Sequence, residues 1–225
     1  FVYDELGISP AAAIHDGDPY TQGLAQAFAD AFEALGGTIT GFTGVNKEDT
    51  DMVPVLTEVA AGSPGALFFP IFQPAGDLVA DQAPGVSGLE GTVLLGADGL
   101  QVQSFMELSQ ADGMYLSGPD LRYGSNTNQS TGATADKFLA DYESNNGNPP
   151  EAPFWAHSYD ATTILLEAIK AASYTDGDNL VIDRAGVREY LDNLTGYEGI
   201  IGTLSCDDFG DCGAQRITVV QNDSS

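Results

Sequence analysis

Two polar side chains stand directly after apolar segments that predict buried strands. Tyr20 lies in the loop after Ala11–His15, and Asp98 follows the segment Thr92–Gly96. In α/β sheets, ligands bind beyond the carboxyl ends of the parallel strands. Tyrosine offers an apolar ring face and one hydroxyl, and a carboxylate beside a cation is a strong hydrogen-bond acceptor. These two residues therefore predict recognition of a small molecule.

Each candidate also has a purely structural interpretation. Tyr20 could pack over the N-terminus of the helix that follows it, and Asp98 could cap a helix that begins near Gln101. Phe72 ends the apolar run Gly65–Phe72, and it could be either a wall of a binding site or a core residue.

The two cysteines of the chain, Cys206 and Cys212, lie close together in TLSCDDFGDCGAQRITVV. Strand-like residues flank an Asp-Asp-Phe-Gly turn, which predicts a β-hairpin with one cysteine on each arm. Such a pair can reach disulfide geometry, whereas a zinc site would need further ligands. We predict a disulfide rather than two free thiols, and hence an oxidising compartment.

Metal and catalytic sites have weaker support in the sequence. His15, Asp16 and Asp18 form an incomplete ligand set that is more typical of a turn. The acidic turn at 207–211 lacks the spacing of an EF-hand, and Trp155 and His157 are interpreted as packing residues. No nucleophile elbow, P-loop lysine or zinc-protease motif is present, so we predict neither a cofactor nor an enzyme.

The charge balance excludes several classes of partner. Seven Lys and Arg residues stand against 33 Asp and Glu residues, which gives a formal net charge of −26. Nucleic acids and anionic membrane surfaces both require clustered basic residues. The acidity instead favours solubility in a salty or exposed environment.

The order of predicted elements explains how the candidates would be positioned. Strands are predicted at 11–15, 38–45, 65–72, 92–96 and 113–117, and helices at 24–35, 51–61, 75–83 and 101–108. Five strands that alternate with helices predict an α/β fold with a doubly wound, mostly parallel sheet.

The pattern changes after Pro119. Helices are predicted at 133–143, 158–172 and 184–194 with little strand between them, a linker at 145–153, and closing strands at 200–204 and 217–221. Helices with such apolar faces normally pack on a sheet. We therefore expect either that their sheet is supplied by residues absent from this chain or that they pack unusually.

Several segments together resemble a known family. They are DPYTQGLAQAF, FFPIFQP, LLGADG, GMYLSGP, HSYDATTILLEAI and GYEGIIGTLSCDDFGD. In order and spacing they look like the type I periplasmic solute-binding proteins of ABC transporters, in the branch that serves branched-chain amino acids. That family folds as two α/β lobes that face each other across a cleft.

The resemblance implies a division of this chain. Residues 1–118 would be the second ligand-binding lobe, and 119–214 would be a strand-poor, incomplete return to the first lobe. Residues 215–225 would cross back to the second lobe. Most of the N-terminal lobe would be missing from the chain, and we therefore expect weak ligand binding by these 225 residues alone.

The resemblance also assigns roles to the candidates. A tyrosine at the position of Tyr20 lines the cleft, and an acidic residue at the position of Asp98 pairs with the α-amino group of the ligand. Phe72 stands where some relatives carry a tyrosine, so the wall is kept without its hydroxyl. That departure leaves the identity of the ligand open.

The predicted function is that of an extracytoplasmic binding component that passes an amino acid or small amide to a membrane permease. The predicted location is periplasmic or extracellular, either free or lipid-anchored through a missing N-terminus. Nucleic acid is not a predicted partner, and the chain has no apolar run that would insert in a membrane. The alternative function is the ligand-sensing domain of a receptor or regulator with the same fold.

Overall fold

A computed structural model describes residues 1–214 and 216–223. The chain divides into two compact units. The first contains residues 1–118 together with the C-terminal residues from Thr218, and the second spans Pro119–Ile217. The assignment of these units to lobes of a binding protein stays a prediction, and Gln215, Ser224 and Ser225 of the predicted crossover segment lie outside the described residues.

Strands and helices alternate along the first unit. The strands are β1 (Pro10–His15), β2 (Thr38–Gly44), β3 (Ala66–Phe68), β4 (Val93–Gly96), β5 (Tyr115–Pro119) and the C-terminal β10 (Ile217–Gln221). The helices are α1 (Pro19–Ala34), α2 (Val53–Ala60), α3 (Ala75–Gln82) and α4 (Gln103–Met106).

The six strands form one sheet in the order β10-β5-β4-β3-β1-β2. The pairs β1–β2, β1–β3, β3–β4 and β4–β5 are all parallel. The prediction of a mostly parallel α/β sheet is therefore confirmed.

Successive strand residues face two different apolar layers. In β1, Ala12 and Ile14 belong to a core that includes side chains of α2, α3 and α4, whereas Ala11 belongs to a core with Phe32 of α1. Residues Ala11–Ile14 are fully buried. A strand that is buried on both faces has a continuous run of apolar residues. The strands of this sheet could therefore be predicted from the sequence.

The second unit is built from helices and two hairpins. Its helices are α5 (Ala135–Asn146), α6 (Trp155–Ala171) and α7 (Arg184–Asp192), and its hairpins pair β6 (Ser173–Asp176) with β7 (Asn179–Ile182) and β8 (Tyr197–Gly199) with β9 (Gly202–Leu204). The β6–β7 hairpin was not predicted, although its two-residue Gly-Asp turn, Gly177–Asp178, is a recognised hairpin signal. Both hairpins are antiparallel.

Two predicted strands differ from the structure. The strand expected at 65–72 ends at Phe68, because Pro70 has no N–H with which to continue the ladder. The hairpin expected to carry Cys206 and Cys212 is also wrong, because both cysteines lie in an irregular loop after β9. The hairpin of this region is β8–β9 instead.

Candidate functional site

The topology of the first unit places the predicted residues at one edge of its sheet. The chain leaves β1 for β2 on one side and then continues to β3, β4 and β5 on the other. Ligands of doubly wound sheets bind at this switch point, beyond the carboxyl ends of the strands. Tyr20, Phe72 and Asp98 follow β1, β3 and β4 respectively.

Local hydrogen bonds fix the start of α1, where Tyr20 stands. The Asp18 side chain accepts a bond from the backbone N–H of Tyr20 at 2.9 Å, which is the usual role of an N-cap aspartate. The buried Thr21 donates its hydroxyl to the Asp16 carboxylate. The first turn is thus anchored, while the ring of Tyr20 remains 46% exposed.

Asp98 begins a short 3₁₀ turn, Asp98–Leu100, just beyond β4. Leu100 is fully buried and holds the turn against the core. The Tyr20 hydroxyl donates a hydrogen bond of 2.6 Å to Oδ1 of Asp98. The interpretation of Asp98 as a helix cap is wrong, since α4 begins later, behind Val102, and has no side-chain cap.

Phe72 lies in the loop beyond β3 and presents its ring beside Tyr20. The two ring centroids are 6.0 Å apart, with an angle of 33° between the ring planes. Phe72 is 46% exposed, so the interpretation as a core residue is wrong. The structure therefore brings all three candidates of the first unit into one cluster, although their ligand-binding roles stay predictions.

The electrostatics of the cluster favour a positively charged group. Burial raises the pKa of Tyr20 well above its ordinary value, and the hydrogen bond and charge of Asp98 raise it further. The phenol therefore stays protonated and donates a hydrogen bond to Oδ1 of Asp98. The phenol oxygen and the Asp98 carboxylate both keep lone pairs that can accept further bonds. Lys47 is the only Lys or Arg among residues 1–118.

The predicted turn around His15 is a self-contained structure. Nδ1 of His15 accepts a bond from the N–H of Gly17 at 3.1 Å, and Asp16 accepts one from the N–H of Asp18 at 3.0 Å. Within residues 1–214 and 216–223, no group of three potential metal ligands occurs.

The Cys206–Cys212 disulfide is formed, as predicted. Hydrogen bonds from backbone N–H groups to one aspartate side chain organise the acidic loop that the disulfide closes. Oδ1 of Asp207 accepts bonds from the N–H groups of Phe209 and Asp211, both at 2.9 Å. This carboxylate is engaged in holding the turn.

Sequence reasoning missed a buried polar network in the second unit. Asp160 is 1% exposed, and its two carboxylate oxygens accept bonds from the side-chain amide of Asn128 and the N–H of Ile201, both at 2.9 Å. Asn128 also donates to Thr163 at 2.8 Å. The only signal was an aspartate inside an otherwise apolar helix, in HSYDATTILLEAI.

Trp155 of the second unit packs against an apolar cluster, as its interpretation from the sequence proposed, and the ring of His157 contacts Phe154 edge-on at 5.3 Å. The Trp155 ring stacks on Phe138 at 5.2 Å and contacts Tyr123 edge-on at 5.4 Å. Phe138 and Trp155 line part of an open groove of about 700 Å³. Among the helices of the described residues, none combines the length and apolar character that crossing a lipid bilayer requires.

The sequence profile of the periplasmic binding protein family matches residues 1–224. The chain therefore belongs to the periplasmic binding protein family. This membership confirms the resemblance found in the sequence, and a family of binding proteins agrees with the expectation that the chain is not an enzyme.

Relatives of this family member include binding proteins from Brucella. The Leu/Ile/Val-binding protein homolog 1 of Brucella abortus is 27% identical over 215 residues, which cover 94% of this chain and 53% of the relative. Homolog 3 of Brucella melitensis is 25% identical over 225 residues, with 99% and 56% coverage. The chain thus spans about half the length of these relatives.

Solved structures show the same type I fold. The leucine binding protein LivK of Thermotoga maritima superposes with a TM-score of 0.80 at 24% identity, over 100% of this chain and 60% of that protein. LivJ of Streptococcus pneumoniae, solved with isoleucine, gives a TM-score of 0.69 at 20% identity, over 98% and 62%.

Proposed function

We propose that this chain carries part of the binding site of an ABC-transporter solute-binding protein whose ligand is an amino acid. The observation that carries the proposal is the Tyr20–Asp98 hydrogen bond of 2.6 Å at the carboxyl edge of the sheet. Two acceptor oxygens beside two aromatic rings match the α-ammonium group and the adjacent carbon chain of an amino acid.

Each residue has a distinct task in this site. Asp98 supplies the negative charge that pairs with the ammonium group. Tyr20 orients the Asp98 carboxylate through its hydrogen bond, and the phenol oxygen of Tyr20 accepts a second hydrogen bond from the ammonium group. The rings of Tyr20 and Phe72 form an apolar wall for the side chain of the ligand. The names of the Brucella relatives and the isoleucine in the LivJ structure support a branched aliphatic side chain.

The same proposal covers the partner and the location. The protein would release its ligand to a membrane permease outside the cytoplasm. The Cys206–Cys212 disulfide supports this location, because disulfides persist in oxidising compartments and are rare in the cytosol.

The test is calorimetric titration of the full-length gene product with L-leucine, L-isoleucine, L-valine and L-glutamate. We expect binding of the aliphatic amino acids. Asp98→Asn should weaken their binding by about 2 kcal/mol or more, which is roughly a 30-fold loss of affinity, because the ammonium group loses its charged partner. Asp81→Asn is the matched control, since Asp81 is an exposed acid of the same unit.

Two results would contradict the proposal. Equal affinities in wild type and Asp98→Asn would remove Asp98 from the site. Binding of none of the four amino acids would exclude this ligand class. Binding of leucine by the 225-residue chain alone, as tightly as by the full-length protein, would contradict the expectation of weak binding by this chain.

A further inference from the structure

Gly99 lies against one edge of the ring of Phe72. A Cβ atom added to Gly99 would stand 2.7 Å from both Cδ1 and Cε1 of that ring, which is closer than real Cβ atoms approach their neighbours. The edge of the ring therefore occupies the space that any side chain at position 99 would need.

The backbone of Gly99 gives no separate reason for a glycine. Its φ angle is not among the positive values of the described residues, so alanine fits the 3₁₀ turn without backbone strain. The steric conflict at this position is thus with the side chain of Phe72. Substitution of Gly99 by alanine therefore probes the contact between position 99 and the Phe72 ring.

The backbone that carries Phe72 is held firmly, while its ring is half exposed. Gln73 donates its side-chain amide to Asp77 at 3.1 Å and accepts the hydroxyl of Ser104 at 2.8 Å. The N–H of Gly76 donates to the carbonyl of Phe72 at 2.9 Å. A group added at position 99 would consequently move the ring rather than the loop.

We propose that Gly99 is a specificity-determining residue that acts through Phe72. The missing side chain at position 99 lets the ring lie back against the turn, and this leaves room on the apolar wall for the side chain of the ligand. This inference rests on the proposed function. A methyl group at position 99 adds volume to that wall, so it discriminates against large ligand side chains more than small ones.

The test compares L-leucine with L-alanine by calorimetry on the full-length gene product. In Gly99→Ala, the ratio of the leucine affinity to the alanine affinity should fall by about tenfold, because one methylene in an apolar pocket changes discrimination by at least roughly that factor. Gly91→Ala is the matched control, since a Cβ at Gly91 meets nothing within 4 Å. Its ratio should equal that of the wild type.

Phe72→Ala tests whether the effect passes through the ring. In the Phe72→Ala background, adding Gly99→Ala should leave the ratio unchanged, because no ring remains to be displaced. A general loss of stability would lower both affinities and leave their ratio intact, so the ratio separates specificity from folding.

The outcomes distinguish the two proposals. If wild type binds leucine and Gly99→Ala keeps the wild-type ratio, the role of Gly99 is refuted while the proposed function stands. A tenfold fall that persists in the Phe72→Ala background refutes the path through Phe72. If wild type binds none of leucine, isoleucine, valine and glutamate, the proposed function fails, and the specificity role fails with it.

Discussion

The two units of the chain bury their polar and apolar groups in different ways. In the first unit, a mostly parallel sheet of short strands is covered by apolar side chains on both faces. In the second unit, a carboxylate stands at the centre of the packing, and Asp160 joins α6 to Asn128 and to the backbone of Ile201. No basic side chain of the described residues forms a salt bridge with it.

The difference shows two routes to a defined interior. Apolar layers are stabilised by removing surface from water, and they tolerate small changes of shape. A buried carboxylate is stable only while every hydrogen bond to it is made. The second unit should therefore be the more sensitive to single polar substitutions, and four experiments test this difference.

The largest effect is expected for Asp160→Ala. The substitution leaves the amide of Asn128 and the N–H of Ile201 without their acceptor inside the unit. We expect a loss of about 4 kcal/mol in the free energy of unfolding. Hydrogen exchange followed by mass spectrometry should show the loss in residues 119–217, and equal losses in both units would contradict the contrast.

Leu67→Ala is the matching substitution in the first unit. Leu67 is fully buried in β3, and its truncation leaves a cavity in the apolar layer. We expect a loss of about 3 kcal/mol, visible in the exchange of the β1, β3 and β4 amides. A loss larger than that of Asp160→Ala would show that the apolar core is the more sensitive interior.

The disulfide should have an intermediate effect. Cys206 and Cys212 are six residues apart in the sequence, and a loop this short gains about 2 kcal/mol from closure. The double substitution Cys206→Ser and Cys212→Ser should lower the free energy of unfolding of the second unit by that amount, and thermal denaturation should show a lower melting temperature. Stability that is the same with and without reductant in wild type would contradict this role.

The smallest effect is expected from His157. Burial lowers the pKa of His157, and the charge of Asp160 opposes that shift only in part. The folded-state pKa of His157 lies below the unfolded value of about 6.5. The contribution of the neutral imidazole to the free energy of unfolding is therefore fully present above that pH. It is lost as the pH falls through the folded-state pKa.

Urea denaturation between pH 7.5 and pH 5 tests this expectation. His157→Gln should flatten the decline in the free energy of unfolding over this range. His15→Gln is the control, as it removes the only other histidine of the chain. If the control flattens the curve equally, His157 is not the responsible group.

Much of the first unit was predictable because its signals are local. The apolar runs at β1, β3 and β4 and the periodicity of α1 each follow from a few neighbouring residues. The placement of Tyr20 and Asp98 just beyond the ends of their strands followed from the same pattern, because the ends of parallel strands meet at one edge. The loop predicted for Tyr20 is instead the first turn of α1. The β6–β7 hairpin was missed, although its turn residues gave a local signal.

Local sequence patterns were enough to predict the class of fold, the disulfide partners and the strand ends that precede Tyr20 and Asp98. Three features are visible only in the folded chain. The side chains of Tyr20 and Asp98 share a hydrogen bond, and the ring of Phe72 occupies the space beside Gly99. Asp160 is buried with neutral partners. Periodicity and turn chemistry act over a few residues. Contacts between residues far apart in the chain depend on how the packed elements bring them together.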